Sequence, residues 1–205
     1  TEQEKNDMDM KMAVYAAQVH CMDYNIGRLM KHLEEKGEMD NTIIVFLSDN
    51  GACAEPHVEK GSGGVDMIND PSSSDKPSYG LPWAQVSNTP YRKYKVRAYE
   101  GGTAAPFIVS WPARYAQYGG EIRHNRIFLP DLMATFIDAA HATYPETYQG
   151  NTIFPLEGKT LLPTIEQPDA VIHDYIFSEH FDNCAVWWEN WKAVKDRDSN
   201  KWAAS

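Results

Sequence analysis

The sequence is poor in cysteine, in basic charge and in long apolar runs, and each shortage argues against a class of protein. Three cysteines in 205 residues are too few and too scattered for a disulfide framework or for a zinc site with closely spaced ligand pairs. The 19 basic and 29 acidic residues give a formal charge of -10, which argues against a general nucleic-acid binder. No apolar run approaches the roughly 20 residues that span a bilayer, so we expect no membrane span.

The remaining composition predicts a folded globular chain. With 42% hydrophobic residues, the chain can bury a core, and its length suits one domain or one domain with a small appendage. Its start, TEQEKNDMDM, lacks the apolar segment of a signal peptide. A helix is predicted from about Met8 to Lys36, followed by a strand. An αβ unit of this kind is expected to follow an earlier strand, so we expect the chain to be the latter part of a larger protein.

The predicted first helix carries an apolar stripe at steps of three and four residues. Its members are Tyr15, Val19, Met22, Ile26, Leu29 and Leu33. Gly37 is well placed to end the helix. His20 and Asp23 lie three apart on one helical face and could act as ligands, but polar residues that flank a packed stripe are the favoured interpretation.

The stretch TIIVFLSDNG, Thr42 to Gly51, is an apolar run that ends in a polar cluster. Its β-branched and aromatic residues predict a strand covered on both faces, as in a parallel α/β sheet. Ligands bind at the carboxyl ends of strands in such sheets, so Asp49 and Asn50 could hold a hard cation or a charged substrate. The same Asp-Asn-Gly sequence is also typical of a simple turn.

A segment with little periodicity follows, from Gly51 to about Pro90, and loops of this length are usually functional or disordered. Four of its side chains come just after the strand and could reach a bound ligand, although ordinary loop residues are the favoured interpretation: Cys53, Glu55, His57 and Glu59. Next comes a basic cluster interleaved with tyrosines: Arg92, Lys93, Lys95 and Arg97. In an acidic protein this cluster is either a local anion site or a solvated face.

The later elements are shorter. Residues 106–111 predict a buried strand, and residues 129–140 predict a helix that buries Leu132, Met133, Phe136 and Ile137. A further strand is expected over 171–177, with one or two more over 184–194. The run AVWWENWKAV contains three tryptophans, which favours core or interface packing over a carbohydrate-binding platform.

Several of these pieces, in order, resemble the carboxyl-terminal half of type I sulfatases (arylsulfatases), relatives of alkaline phosphatase. They are SDNG after a strand, WAQVSNTPYRKYKVRAYEGGTAAPFIVSWP, FLPDLMATFIDAA, YPETYQG, PLEGKTLLP, SEHFDNCAV and NWKAV. The resemblance covers about Tyr15 to Val194. It implies an alkaline-phosphatase-like α/β fold with a mixed, mostly parallel sheet flanked by helices over residues 1–165. Residues 166–205 would begin a small antiparallel subdomain.

The resemblance also implies a site. Asp49 and Asn50 would be two ligands of an active-site Ca²⁺, or Mg²⁺ in some relatives, and oxygen ligands suit a hard dication. Lys95, five residues before Glu100 of Glu-Gly-Gly, would contact the sulfate as a point charge. Sulfatases make a formylglycine nucleophile in a Cys/Ser-x-Pro-x-Arg motif. We expect that nucleophile outside this chain, since Cys53 begins Cys-Ala-Glu-Pro-His.

The function implied is hydrolysis of an aryl or carbohydrate sulfate by a longer protein whose amino-terminal portion supplies the remaining groups. The alternatives are a phosphatase or phosphonate hydrolase of the same superfamily, and a catalytically inactive structural or carbohydrate-binding fragment. The isolated chain is expected to be inactive. Family habit makes a periplasmic or secreted location the expectation.

Overall fold

Helices and small antiparallel sheets alternate along the chain in the computed structural model, which describes residues 1–70, 72 and 77–204. The elements are α1 (Glu2–Lys36), β1 (Ile44–Leu47), a 3-10 turn (Val65–Met67), α2 (Gly80–Ser87), α3 (Glu100–Thr103), β2 (Phe107–Ser110), α4 (Pro112–Tyr115), a 3-10 turn (Ala116–Tyr118), α5 (Asp131–Ala139), β3 (Thr147–Tyr148), β4 (Asn151–Thr152), α6 (Leu162–Glu166), β5 (Tyr175–His180), β6 (Asn183–Trp188), β7 (Trp191–Asp196) and β8 (Lys201–Ala204). The predicted α/β class is confirmed. Among the described residues, no helix is long and apolar enough to cross a membrane.

Helix α1 begins earlier than its apolar stripe predicts. The Thr1 hydroxyl accepts a hydrogen bond from the backbone amide of Glu4, and the Thr1 amine donates to the Glu4 carboxylate, which completes a capping box. These polar contacts replace the apolar periodicity that the first residues lack. The helix ends where predicted, because Gly37 adopts a left-handed conformation with φ 70°.

The apolar stripe of α1 was predicted to be packed, and among the described residues it is not. No residue of α1 is buried, and exposure at Tyr15 and Leu29 is 41% and 61%. The hydrogen bonds and ring contacts that join α1 to other segments lie in its first half, where Trp83 donates to the carbonyl of Met8 and Tyr15 stacks on Tyr79. The second half of the stripe therefore stays accessible.

Strand β1 pairs with β2 in antiparallel register, from Ile44 opposite Ser110 to Leu47 opposite Phe107. The sequence predicted a mostly parallel sheet with both faces covered. In the described residues every strand pair is antiparallel, and Phe46 and its partner Ile108 are 40% and 60% exposed. An apolar, β-branched run encodes burial potential but carries no information about strand direction, which explains the error.

Strands β5 to β8 form a four-stranded antiparallel sheet, which confirms the predicted antiparallel carboxyl-terminal unit and adds β8. One face is buried, where Ala185, Val194 and Trp187 pack against Ala98 and Tyr99. The opposite face carries exposed aromatic side chains: Tyr175, Phe177, Trp188, Trp191 and Trp202. Of the three clustered tryptophans only Trp187 packs inward as predicted. The boundary between 165 and 166 remains a prediction.

Two helices differ from their predictions. The segment from Gly51 to Pro90 was predicted to be a loop and contains α2. Pro82 lies in the first turn of this helix, where proline is tolerated. Residues 71 and 73–76 of the segment lie outside the described part. In α5 the buried residues are Asp131, Ala134 and Thr135, whereas Met133 and Phe136 were predicted to be buried and are exposed.

Asp131 is fully buried at the start of α5, and several hydrogen-bond partners satisfy its carboxylate. Its carboxylate accepts from the backbone amides of Phe128 and Lys159 at 2.7 and 2.9 Å and lies 2.8 Å from Nε2 of His173. A polar helix face is thus the buried one, since its carboxylate satisfies donors that would otherwise be orphaned.

We predict that Asp131→Ala lowers the free energy of unfolding by about 3 kcal/mol, because buried donors lose their acceptor. Asp138→Ala, an exposed position on the same helix, is the matched control and should change it by less than about 0.5 kcal/mol. Urea denaturation followed by circular dichroism measures both. Equal effects of the two substitutions would contradict this account of Asp131.

Candidate active site

Asp49 and Asn50 follow β1 after the single residue Ser48, and their side-chain oxygens are free of hydrogen bonds to the described residues. The Ser48 hydroxyl donates to the backbone oxygen of Asn50 at 2.7 Å, and Asn50 Nδ2 donates to the carbonyl of Gly51 at 2.9 Å. The segment is therefore a turn whose internal bonds use the amide nitrogen and leave Asn50 Oδ1 and the Asp49 carboxylate available. Oxygens of this kind fit a hard divalent cation.

These two residues would supply only part of a metal's ligand set. Among the described residues, no group of three or more His, Cys, Asp or Glu side chains is arranged to hold a metal ion. His20 and Asp23 lie on the exposed surface of α1.

Lys95 is held by an acidic side chain from the loop after β1. Its ammonium nitrogen lies 2.9 Å from Glu55 Oε2 and 4.0 Å from Cys53 Sγ, and the Cys53 thiol donates to the same carboxylate oxygen at 3.3 Å. The hydrogen bond to Glu55 is the largest cause of a raised pKa for Lys95, and the charge of Asp49 contributes in the same direction. The lysine is therefore firmly cationic.

Lys95 shares one groove with the turn after β1. Asp49, Asn50, Lys95 and Glu100 all line a groove of about 1250 Å³ that continues along β2. The Lys95 side chain is 33% exposed, so its ammonium is accessible to a ligand in that groove. The residues singled out from the sequence are therefore brought together by the fold.

Backbone hydrogen bonds join the segments that carry these residues. The amide of Lys95 donates to the carbonyl of Ala52 at 3.0 Å, and the amide of Gly51 donates to the carbonyl of Gly102 at 3.0 Å. The amide of Gly101 donates to the carbonyl of Arg92 at 2.9 Å. We call this set of contacts between residues 48–52, 92–97 and 100–102 the backbone junction.

The backbone junction requires glycine because the chains touch. A Cβ added at Gly51 would overlap the carbonyl oxygen of Gly101, and one added at Gly101 would overlap those of Lys93 and Arg92. Close approach of two backbones is a common reason for glycine. The Glu-Gly-Gly sequence therefore has a steric role in placing Lys95 beside Asp49.

The rest of the basic cluster does not form one anion site. Arg97 is only 10% exposed and pairs with Asp196 and Asp198 at 3.3 and 2.6 Å. The Arg92 guanidinium lies 4.7 Å from the centre of the Tyr99 ring. Of the two alternatives raised by the sequence, neither a shared anion site nor a solvated face describes the whole cluster.

Two contributors near the site were not assigned from the sequence. Glu55 was favoured as an ordinary loop residue, yet it contacts Lys95. Asn88, at the end of α2, accepts from the amide of Ala52 and donates to the carbonyl of Lys93, both at 3.0 Å. Asn88 thus links both sides of the backbone junction, and no local pattern in the sequence distinguishes it from other turn asparagines.

Comparison with known proteins shows the family of this chain. The Sulfatase family model matches residues 1–142. The chain belongs to the sulfatase family. It is 30% identical over 208 residues to an uncharacterised sulfatase of Schizosaccharomyces pombe, covering 95% of this chain and 37% of that protein. It is 34% identical over 167 residues to an arylsulfatase of Klebsiella aerogenes, covering 75% of this chain and 33% of that enzyme.

A solved structure supports the fold. The crystal structure of Ps i-CgsB superimposes with a TM-score of 0.65 at 23% identity, covering 93% of this chain and 35% of that one. The chain thus spans about a third of the length of these two sulfatases. The family resemblance seen in the sequence is confirmed.

One stretch matches the family's formylglycine pattern, contrary to the expectation that none lies in the chain. Ser110 to Arg114 reads Ser-Trp-Pro-Ala-Arg. Ser110 pairs with Ile44, at the end of β1 remote from Asp49. Asp49 lies five positions after Ile44, and the strand Ile44–Leu47 covers most of that path; at about 3.3 Å per strand residue, Ser110 is on the order of 15 Å from Asp49. This serine is therefore too far away to act as the nucleophile at the candidate site.

We predict opposite effects of Gly→Ala at two positions. Gly51→Ala should lower the free energy of unfolding by more than about 2 kcal/mol, because its methyl group would separate the backbone junction. Gly27→Ala, in α1, meets nothing within 4 Å and should raise that free energy by about 0.5–1 kcal/mol through helix propensity. Urea denaturation of both variants tests the pair. A tolerated Gly51→Ala would show that the close approach is dispensable.

We predict that Glu55→Gln lowers the pKa of Lys95 toward the ordinary value of about 10.4, because a neutral amide stabilises the ammonium less. The same change should increase affinity for inorganic sulfate several-fold, since the ammonium loses its competing carboxylate. NMR titration of labelled lysine and calorimetry measure the two quantities. Glu59→Gln, in the same loop, is the control. An unchanged Lys95 pKa in Glu55→Gln would contradict the pairing.

Proposed function

We propose that this chain is the carboxyl-terminal portion of a sulfatase that hydrolyses aryl or carbohydrate sulfate esters. The observation that carries the proposal is the convergence of Asp49, Asn50 and Lys95 on one groove in a chain of the sulfatase family. The side-chain oxygens of Asp49 and Asn50 lie on one side of the backbone junction and the charged ammonium of Lys95 on the other. A sulfate ester bound between a metal cation and the ammonium would have its oxygens polarised from two sides.

Asp49 and Asn50 would hold a divalent cation, Ca²⁺ or Mg²⁺, which supplies Lewis-acid polarisation of a sulfate oxygen when bound. A carboxylate beside an amide oxygen adds one negative charge to the site and leaves the cation partly uncompensated. The other ligands would come from the amino-terminal portion of the protein. Two oxygens are too few for tight binding of Ca²⁺, which takes six to eight ligands.

Lys95 would bind a sulfate oxygen and stabilise the negative charge that grows there as the ester S–O bond breaks. Its raised pKa suits this role, because the group stays charged at neutral pH. The Glu55 carboxylate occupies the ammonium before substrate arrives, and the incoming sulfate would replace or share that contact. Charge on Lys95 is thus compensated in both states.

The nucleophile and the acid that protonates the leaving oxygen would lie outside this chain. A formylglycine is proposed for the nucleophile, as the family resemblance implies. Ser110 would remain an ordinary serine, so mass spectrometry of the peptide that contains it should show no loss of hydrogen. Periplasmic or secreted location is proposed on the resemblance alone.

A phosphoryl substrate is the nearest alternative, because a metal and a lysine would stabilise either anion. Comparing kcat/KM for matched aryl sulfate, phosphate and phosphonate esters separates these functions.

A carbohydrate-binding role is the second candidate, favoured by the five exposed aromatic side chains on one face of the β5–β8 sheet. Titration of sulfated oligosaccharides against Trp191→Ala tests that role.

We predict that Lys95→Met in the longer protein lowers kcat/KM for an aryl sulfate about 100- to 1000-fold, because a preorganised charge is lost in the transition state. Lys93→Met, a neighbouring lysine with no assigned role, is the matched control and should stay near wild type. The isolated chain should show no turnover. Turnover that survives both Lys95→Met and chelation of divalent cations would overturn the site assignment.

A further inference from the structure

A buried lysine, Lys192 on β7, points from the carboxyl-terminal sheet toward the backbone junction. It pairs across strands with Trp187, so both side chains lie on the buried face of that sheet. The Lys192 side chain is only 5% exposed. Lysine is rarely buried to this degree unless it is paired, so its contacts need an explanation.

The contacts of Lys192 converge on one carboxylate. Its Nζ donates to Glu100 Oε1 at 2.7 Å and to the Thr103 hydroxyl at 3.3 Å. The same Nζ lies 4.3 Å from the centre of the Trp187 ring, and Trp187 Nε1 donates to Glu100 Oε1 at 3.3 Å. Burial lowers the pKa of Lys192, and the bond to Glu100 opposes that effect.

A buried ion pair is a poor source of stability, since desolvation offsets much of the attraction. What this pair does provide is a fixed position for Glu100. Glu100 begins the Glu-Gly-Gly turn, whose two glycines make the hydrogen bonds to Arg92 and Gly51 in the backbone junction. Holding Glu100 therefore holds the backbone on both sides of Lys95.

A second tether joins the same two units. Arg97, two residues after Lys95, pairs with Asp196 at the end of β7. The small cluster of Ala98, Ala185 and Val194 packs between the tethers. Strand β7 thus contacts the segment after Lys95 at two points, Arg97 and Glu100. Lys95 itself makes neither contact and faces the groove.

We infer that Lys192 is a positioning residue for the anion site: through Glu100 it fixes residues 92–102 so that the Lys95 ammonium is presented beside Asp49. The statement that the site binds an anion rests on the proposed function. The contacts that join Lys192 to residues 92–102 do not depend on it. Lys192 does not itself line the groove, whereas its partner Glu100 does. Its effect on sulfate binding should pass through the backbone that it orders.

The test uses Lys192→Met, Lys192→Arg and Glu100→Gln in the longer protein, with Lys195→Met as the control. Lys195 lies on the same strand and on the opposite face, because side chains alternate along β7. Three readouts are measured: amide hydrogen exchange over 92–103, affinity for inorganic sulfate, and kcat and KM for an aryl sulfate.

Lys192→Met and Glu100→Gln should speed exchange over 92–103 at least tenfold and leave α5 unchanged. Sulfate affinity and kcat/KM should fall about tenfold or more, because small misplacements of a binding group are costly. Lys192→Arg should recover most of each loss, and Lys195→Met should have no effect.

The inference is overturned if Lys192→Met and Glu100→Gln lower thermal stability while exchange over 92–103, sulfate affinity and KM remain as in wild type. If Lys192→Met does not fold, Glu100→Gln and Lys192→Arg still decide the question. If the wild-type protein does not hydrolyse aryl sulfates, the proposed function fails, and hydrogen exchange with sulfate affinity tests Lys192 independently.

Discussion

The structure depends on a close contact between two stretches of backbone. Gly51 donates to the carbonyl of Gly102, and no space remains for a side chain at Gly51 or Gly101. This contact brings the turn that carries Asp49 and Asn50 against the segment that carries Lys95. Asp49 and Asn50, which lie 46 and 45 positions before Lys95 in the sequence, thereby face one groove with it, so the proposed site depends on glycine as well as on charged residues.

The basic residues near this contact have two different roles: some hold the backbone, and one is proposed to bind the ligand. Lys192 is buried and Arg97 is only 10% exposed, and both are paired with acids of another segment, so they hold the backbone. Lys95 is paired with the half-exposed Glu55, so a ligand could reach that contact from the groove. Burial, rather than residue type, separates the basic side chain proposed to bind an anion from those that hold the backbone.

Sequence reasoning succeeded where a local pattern has one physical meaning. Gly37 ends α1, and the ordered motifs around Asp49 and Lys95 identified the sulfatase family. It failed where the answer depends on distant partners. The direction of β1 is decided by β2, and the buried face of α5 by His173 and Lys159. The role of Asn88 depends on Ala52, and that of Lys192 on Glu100, both far away in the chain. The Ser-Trp-Pro-Ala-Arg stretch matches a catalytic pattern, yet its position along β2 separates it from the site.

The central claim is that Asp49, Asn50 and Lys95 form one composite site across the backbone junction. The most direct test is a crystal structure of the longer protein grown with Ca²⁺ and sulfate. The account predicts Ca²⁺ at about 2.3–2.6 Å from the Asp49 carboxylate and Asn50 Oδ1, with a sulfate oxygen within hydrogen-bond distance of Lys95 Nζ. Ca²⁺ and sulfate bound together at residues that include none of these three would contradict it.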